Sequence, residues 1–281
     1  MTSRKPFDVG NLMTHIVLIT FGILMIYPVL WMFFGSFKPT QDIFTNPSFF
    51  PTHWTLQNYI DGWTLLPNMH FGQFIGNSFI VSSLVVVGTV ISSSLVAFAF
   101  ARFEFRFKRI LFSIMLATLM LPSQITLIPQ YTMYHFLGFV NTYVPLIAPA
   151  FFGAPFFIFL LIQFMRSLPR ELDEAAKIDG CNTFQIYWRI IMPLSVPALM
   201  TTAIFSFIWS WDDFFSQLVY INSSSMFTAP LGLKLFMDES GAQLWGPMFA
   251  MSMLSLIPLF LVFMFFQKYI VKGIATSGLK G

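Results

Sequence analysis

Hydrophobic and polar positions along this chain fall into long blocks, without the short alternation of half-buried strands or the one-sided stripes of soluble helices. Five windows contain no Asp, Glu, Lys or Arg: His15 to Gly35, Gly76 to Ala101, Ile110 to Pro129, Val144 to Met165 and Gly246 to Gln267. Each is long enough as a helix, at about 1.5 Å per residue, to cross a hydrocarbon core of roughly 30 Å. A sixth, Pro197 to Ile221, is equally apolar apart from Asp212 and Asp213 and reads as a span carrying two intramembrane acids. The pattern predicts an all-α integral membrane bundle of six helices.

Composition agrees: the 281 residues are 56% hydrophobic, 19% aromatic and only 10% charged, with mean hydropathy +0.73, more apolar surface than a soluble domain needs. Arg4 and Lys5 precede an apolar run longer than a signal-peptide core, with no small-x-small cleavage site after it, so a retained first helix is expected. The single Cys181 supports no disulfide framework. Placing the N-terminus inside puts Arg4, Lys5, Arg102, Arg106, Lys108, Arg109, Arg166, Arg170, Lys177, Arg189, Lys268, Lys272 and Lys280 on the inner side and only Lys38 and Lys234 outside. That asymmetry satisfies the positive-inside bias with both termini cytoplasmic. The pI near 9.0 therefore reports topology and not nucleic-acid binding, since no basic stripe interleaves with aromatics.

The expected division is an N-terminal tail and first helix (1–36), an outer loop (37–73), a five-helix core (74–270) and a cytoplasmic tail (271–281). The outer loop, with Pro39, Pro47, Pro51 and Pro67 beside Trp54, Tyr59 and Trp63, reads as a pinned cap, and Asn222 to Trp245 as a turn with a short amphipathic piece. The inner loop 166–196 carries eight charges and reads as two short helices. Ser167 is the expected cap of the first and Pro169 fits its opening turn, with Glu171, Asp173 and Glu174 near the positive end of its dipole. Gly180 ends it. Asn182 or Thr183 starts a second, in which Phe184, Tyr187, Trp188 and Ile191 recur at helical spacing until Pro193.

In this loop Glu174-Ala175-Ala176, three residues, Gly180, nine residues, Ile190, one residue, Met192-Pro193 resembles the EAA loop of ATP-binding cassette (ABC) importer permeases. The consensus has Leu where this chain has Met192, a volume-conserving change. NSFIVSS, AFAFARFEF, LPSQITLIPQY, GFVNTY and IWSWDDFF add to the likeness, which runs from Lys38 onward and is similar to the smaller six-helix permease of carbohydrate importers, typified by the maltose system. The resemblance implies a MetI-like permease fold. It implies a second, non-identical permease, two cytoplasmic ATPase subunits, an extracytoplasmic solute-binding protein, and a sugar or oligosaccharide cargo moved across a prokaryotic inner membrane. It also implies that Glu174, Ala175, Ala176, Asp179 and Gly180 dock on an ATPase subunit, with Pro193 fixing where the next span begins. No GxxxxGK[ST] occurs, so ATP and Mg would be bound by those partners and no cofactor by this chain.

Trp209, Trp211, Asp212 and Asp213 suit a sugar path, because indole faces stack on sugar C–H surfaces and carboxylates accept hydroxyl hydrogen bonds. The other reading is an interfacial acid pair beside belt tryptophans. Gln124 and Asn77 are further candidates for the passage, and Pro122, Gln124 and Pro129 suggest a broken third span. Thr89, Ser93, Ala97 and Ala101 form a small-residue stripe for close packing, within the bundle or against a partner permease. The four histidines, His15, His53, His70 and His135, show no metal-ligand spacing. A permease for a non-sugar solute, or a self-powered secondary transporter, are the rival readings. The latter would show repeats or several intramembrane charge pairs.

Overall fold

The computed structural model describes residues 9–46, 48–64, 69–238 and 244–278. Arg4, Lys5, Pro47, Pro67 and Lys280 lie outside them. Among the described residues there are helices and turns but no strand. The helices run α1 (Val9–Gly35), α2 (Asp42–Thr45), α3 (Gln57–Trp63), α4 (Phe71–Arg102), α5 (Lys108–Thr118), α6 (Ser123–Phe136), α7 (Val144–Ile147), α8 (Pro155–Ser167), α9 (Glu171–Ile178), α10 (Thr183–Ile186), α11 (Met192–Leu194), α12 (Val196–Trp211), α13 (Phe215–Tyr220), α14 (Ala229–Asp238) and α15 (Trp245–Gly278).

Among the described residues, four segments are long and apolar enough to cross a membrane: Met13–Gly35, Phe71–Arg102, Val144–Ser167 and Trp245–Tyr269. Thr183–Leu194 and Val196–Trp211, bent by 77°, make a fifth if the pair is one span. The window expected over 110–129 is two helices, α5 of 11 residues and α6 of 14, separated at Leu119 to Pro122. Pro122 marks this break, because the residue before a proline is pushed out of the helical region and proline supplies no N–H. Pro129 stays inside α6 and Pro28 inside α1. The last acidic window also departs from expectation: Asp212 and Asp213 fall in a break between α12 and α13 and not within a helix.

The chain divides into two compact units, Met1–Phe71 with Leu233–Leu254, and Gly72–Gly232 with Ser255–Gly281. In the first, α1 is exposed along its apolar length, as a lipid-facing helix would be. The segment after it is pinned by polar groups: Asn58 Nδ2 donates to Ser36 O (2.8 Å) and Lys38 O (2.7 Å), and the buried Lys38 ammonium donates to the Asn46 and Ser48 carbonyls. Phe34, Phe37, Phe49, Phe50 and Trp54 pack ring against ring around it.

The spine of the second unit is α4. Thr89, Ser93, Ala97 and Ala101 are all buried inside this chain, which assigns the small-residue stripe to packing within the bundle. Ser93 Oγ accepts the Ala154 N–H (3.3 Å), and a Cβ on Gly88 would come within 2.6 Å of the Phe151 ring. A core of Phe98, Ile158, Leu161, Ile162, Met165, Ala176, Ile186, Tyr187 and Ile191 joins α4 and α8 to the residues of the inner loop.

Asn141, in GFVNTY, has φ +62°, a left-handed conformation that Asn tolerates better than most residues. Its Oδ1 accepts the N–H groups of Asn222 (3.0 Å) and Ser223 (2.9 Å), and its own N–H donates to Tyr220 O (2.8 Å). One side chain thus fixes the turn after α13. Replacing Asn141 with Ala should cost roughly 2–4 kcal/mol, from lost hydrogen bonds plus backbone strain. The detergent-solubilised variant should show a lower thermal midpoint, which Asn141→Gly recovers only in part.

Candidate functional site

The inner loop is two short helices whose ends are set by local chemistry. Gly180, at φ +82°, takes the left-handed position that closes α9: its N–H donates to Lys177 O (3.0 Å) and the Cys181 N–H to Ala176 O (2.9 Å), the paired bonds of a Schellman cap. Asn182 then caps α10, accepting Gln185 N–H (2.9 Å) while Gln185 Oε1 accepts Asn182 N–H (2.8 Å), a reciprocal capping box. The start of α9 differs from expectation. Arg170 occupies its cap position with no side-chain bond, Pro169 precedes the helix, and Ser167 Oγ donates back to Phe164 O (2.7 Å) at the end of α8. Ser167 therefore finishes α8 and does not begin α9.

After α10 the chain widens into a π-helical turn, Tyr187–Ile191. Pro193 follows it; a proline ring crowds the carbonyl four residues back, here Arg189, and a widened turn relieves that clash. Pro193 itself lies in α11, and the 77° bend comes at Ser195, with Pro197 in the first turn of α12.

The predicted coupling residues face two ways. Ala176 is 5% exposed and belongs to the core, whereas Glu174, Ala175, Asp179 and Gly180 are exposed. Large apolar side chains of the loop are also exposed: Ile178 is 87% exposed, Phe184 68% and Trp188 60%. What holds the loop to the bundle was not legible as a site in the sequence. Arg102, the last residue of α4, forms an ion pair with Asp173 of α9 (Nε to Oδ2, 3.2 Å), and its Nη1 donates to Leu168 O (3.1 Å). Their side chains are 4% and 14% exposed, so both charges are largely desolvated. About two turns back along α4, Ser94 Oγ and Tyr187 OH share a buried hydrogen bond of 2.8 Å, and the Phe98 ring packs on Tyr187 at 5.2 Å. Arg102 counted only toward topology in the sequence. Its place at the close of an apolar helix, in AFAFARFEF, is the signal that could have marked it.

The predicted passage residues separate. Trp209 and Asp213 meet in a cleft of about 210 Å³ also lined by Thr89, Ser206 and Ser210. Trp209 is half exposed, with its ring against Phe156 and Phe157. Asp213 Oδ1 also accepts the Ser216 N–H (3.0 Å) at the start of α13. Trp211 is not in this cleft: it is buried, stacked on Phe207 at 5.5 Å, with Nε1 donating to Ser255 O (3.2 Å). Asp212 is exposed at the end of α12. Asn77 is engaged in structure, donating to Ser225 O (3.0 Å) and Phe227 O (2.8 Å), and Gln124 is exposed in the first turn of α6.

Removing one member of a desolvated ion pair strands the other, at roughly 3–5 kcal/mol, while replacing both with apolar groups is often neutral. Asp173→Ala should therefore lower the thermal midpoint sharply, and Arg102→Met with Asp173→Leu should restore most of it. Equal losses in the single and double variants would contradict the account.

Residues 88–276 match the family described as binding-protein-dependent transport system inner membrane component. The chain is 35% identical to a probable ABC transporter permease protein, YurM, of Bacillus subtilis, over 99% of this chain and 91% of that protein. It is 36% identical to the trehalose/maltose transport system permease protein MalG of Thermococcus litoralis (94% of each chain), and 33% identical to the arabinooligosaccharides transport system permease protein AraQ of Halalkalibacterium halodurans (99% of each). Its fold is similar, at TM-score 0.83 and 21% identity, to a chain in the crystal structure of a bacterial ABC transporter involved in the import of the acidic polysaccharide alginate, covering 96% of this chain and 99% of that one. The all-helical fold, the apolar spans and these matches agree that the chain is a multi-pass membrane permease subunit and belongs to the binding-protein-dependent transport system inner membrane component family.

Proposed function

We propose that this chain carries a sugar or oligosaccharide through the membrane together with a second, non-identical permease, driven by two cytoplasmic ATPase subunits that bind ATP and Mg and supplied by an extracytoplasmic solute-binding protein. The observation that carries the motor contact is the loop itself: its base is locked into the bundle through Arg102, Ser94 and the core, while Ile178, Phe184 and Trp188 stand exposed. Large exposed apolar groups on a rigid protrusion favour burial in a partner's cleft. Both termini lie in the cytoplasm in this reading, on the side the basic residues favour, and α5 with α6 makes the remaining passage across the bilayer. ATP-driven closure of the motor moves the loop, and the bundle alternates between outward and inward access. The sugar cargo rests on the relatives' transport systems and on the Trp209–Asp213 cleft, where an aromatic face and a carboxylate meet.

The two alanines of the loop serve different partners. Ala176 is packed in the chain's own core, whereas Ala175 is exposed, which leaves its small side chain for the close approach of a partner's backbone in this reading. Overpacking a core costs roughly 1–3 kcal/mol. Ala176→Leu should thus destabilise the isolated permease, whereas Ala175→Leu and Glu174→Lys should leave its melting unchanged but abolish co-purification of the ATPase subunits, with the second permease retained. Absence of any ATPase subunit with the wild-type chain would refute the importer reading.

In the reconstituted importer, Trp209→Ala and Asp213→Asn should each reduce sugar uptake at least tenfold with the thermal midpoint little changed. Trp211→Ala should instead lower stability. Uptake of a non-sugar solute with no response to oligosaccharides would replace the cargo and leave the permease role standing.

A further inference from the structure

A pocket of about 640 Å³ lies between the α4–α5 turn and the end of α8, apart from both sites above. Its lining sets three cations, Lys108, Arg109 and Arg166, against one carboxylate, Glu104. Glu104 is spoken for: Lys108 Nζ donates to it at 2.8 Å and holds its carboxyl below the usual carboxylate range through that hydrogen bond and its charge. Arg109 and Arg166 have no ion-pair partner among the described residues, and the Arg166 guanidinium rests 5.6 Å from the centre of the Phe112 ring. The turn is shaped by Phe107, held at φ +66°, a conformation an aromatic residue seldom adopts, with the Arg106 guanidinium 5.0 Å from its ring. From the pocket the surface continues onto the exposed apolar side chains Ile110, Leu111 and Ile114 of α5.

A cationic pocket that opens onto an apolar helix face matches one kind of molecule, with an anionic head and apolar tails. We propose that this pocket holds the phosphate headgroup of an anionic phospholipid of the cytoplasmic leaflet, with Arg109 and Arg166 on the phosphate and the acyl chains along α5. The inference rests on the cytoplasmic placement of the α4–α5 turn given above. Planar guanidinium groups bind phosphate oxygens in pairs, and basic pockets beside membrane helices on the cytoplasmic side are suited to lipid headgroups. A free phosphate or nucleotide would use the cations but leave the phenylalanines and the α5 face unexplained.

The test uses the assembled importer in nanodiscs of phosphatidylcholine with one-fifth phosphatidylglycerol, followed by native mass spectrometry of the lipids that stay bound. Wild type should retain phosphatidylglycerol several-fold above its bulk fraction, Arg109→Gln with Arg166→Gln should fall to the bulk fraction, and Lys177→Gln, outside the pocket, should behave as wild type. Arg109→Gln alone, at an exposed position, provides an intermediate loss if the double variant does not fold. Retention of both lipids in bulk proportion by wild type, or displacement by millimolar inorganic phosphate, would overturn the proposal. So would loss of the ATPase subunits in the double variant, which would make this face part of the motor contact. Failure of wild type to hold ATPase subunits at all, with phosphatidylglycerol still enriched, would count against the importer reading and not against the headgroup site.

Discussion

The desolvated contact between Arg102 and Asp173 is the constraint on which the rest of the arrangement depends. It joins the last residue of α4 to the helix of the inner loop, at a place where neither charge has much access to water. Left alone, either charge would be costly; together they fix the loop's position relative to α4. The buried Ser94–Tyr187 hydrogen bond adds a second fixed point on the same helix. A loop tied at two places to one helix behaves as an extension of it. In the proposed importer, a push on the exposed residues Ile178, Phe184 and Trp188 would be delivered to α4 through these two ties.

The bend at Ser195 has a complementary role. The π-helical turn at Tyr187–Ile191 and the 77° change of direction separate the loop from α12 at a point where prolines have removed backbone hydrogen bonds. Beyond the bend, α12 leads to Trp209 and Asp213. The core that includes Ala176, Tyr187 and Ile191 also includes Ala198 and Leu199 of α12, so the loop, α4 and α12 share one packed base. The proposed motor contact and the proposed passage would thereby be connected through close-packed side chains, which transmit displacement because they resist compression.

Much of this was legible in the sequence because its determinants are local. Four of the five charge-free blocks fall on apolar spans, though 110–129 breaks in two; Gly180 marked the end of α9 and Asn182 the start of α10, each by a mechanism acting within a few residues. Ser167 and Pro169 misled, since a serine near a helix boundary can serve the helix behind it as readily as the one ahead. The acids 212 and 213 were placed inside a span because a block of apolar residues says nothing about where a helix breaks; the break lies where Asp213 Oδ1 accepts the Ser216 N–H at the start of α13. Trp211 and Trp209 are indistinguishable by type, and only packing shows that one is core and the other lines a cleft. Arg102 and Asp173 lie 71 positions apart in sequence, and their pairing emerges only once α8 brings the loop back to α4.

The central claim is that the loop and α4 move as one body. A pulsed electron-spin distance between labels at Glu171 and Ile91, both exposed, in a chain with Cys181 replaced by Ala, tests it within the assembled importer. The account predicts one narrow distance that is the same without nucleotide and with ATP bound, and that broadens when Arg102 is replaced by Met. A distance that shifts by several ångströms between the two nucleotide states of the otherwise wild-type chain would show that the loop moves independently of α4, and would contradict it.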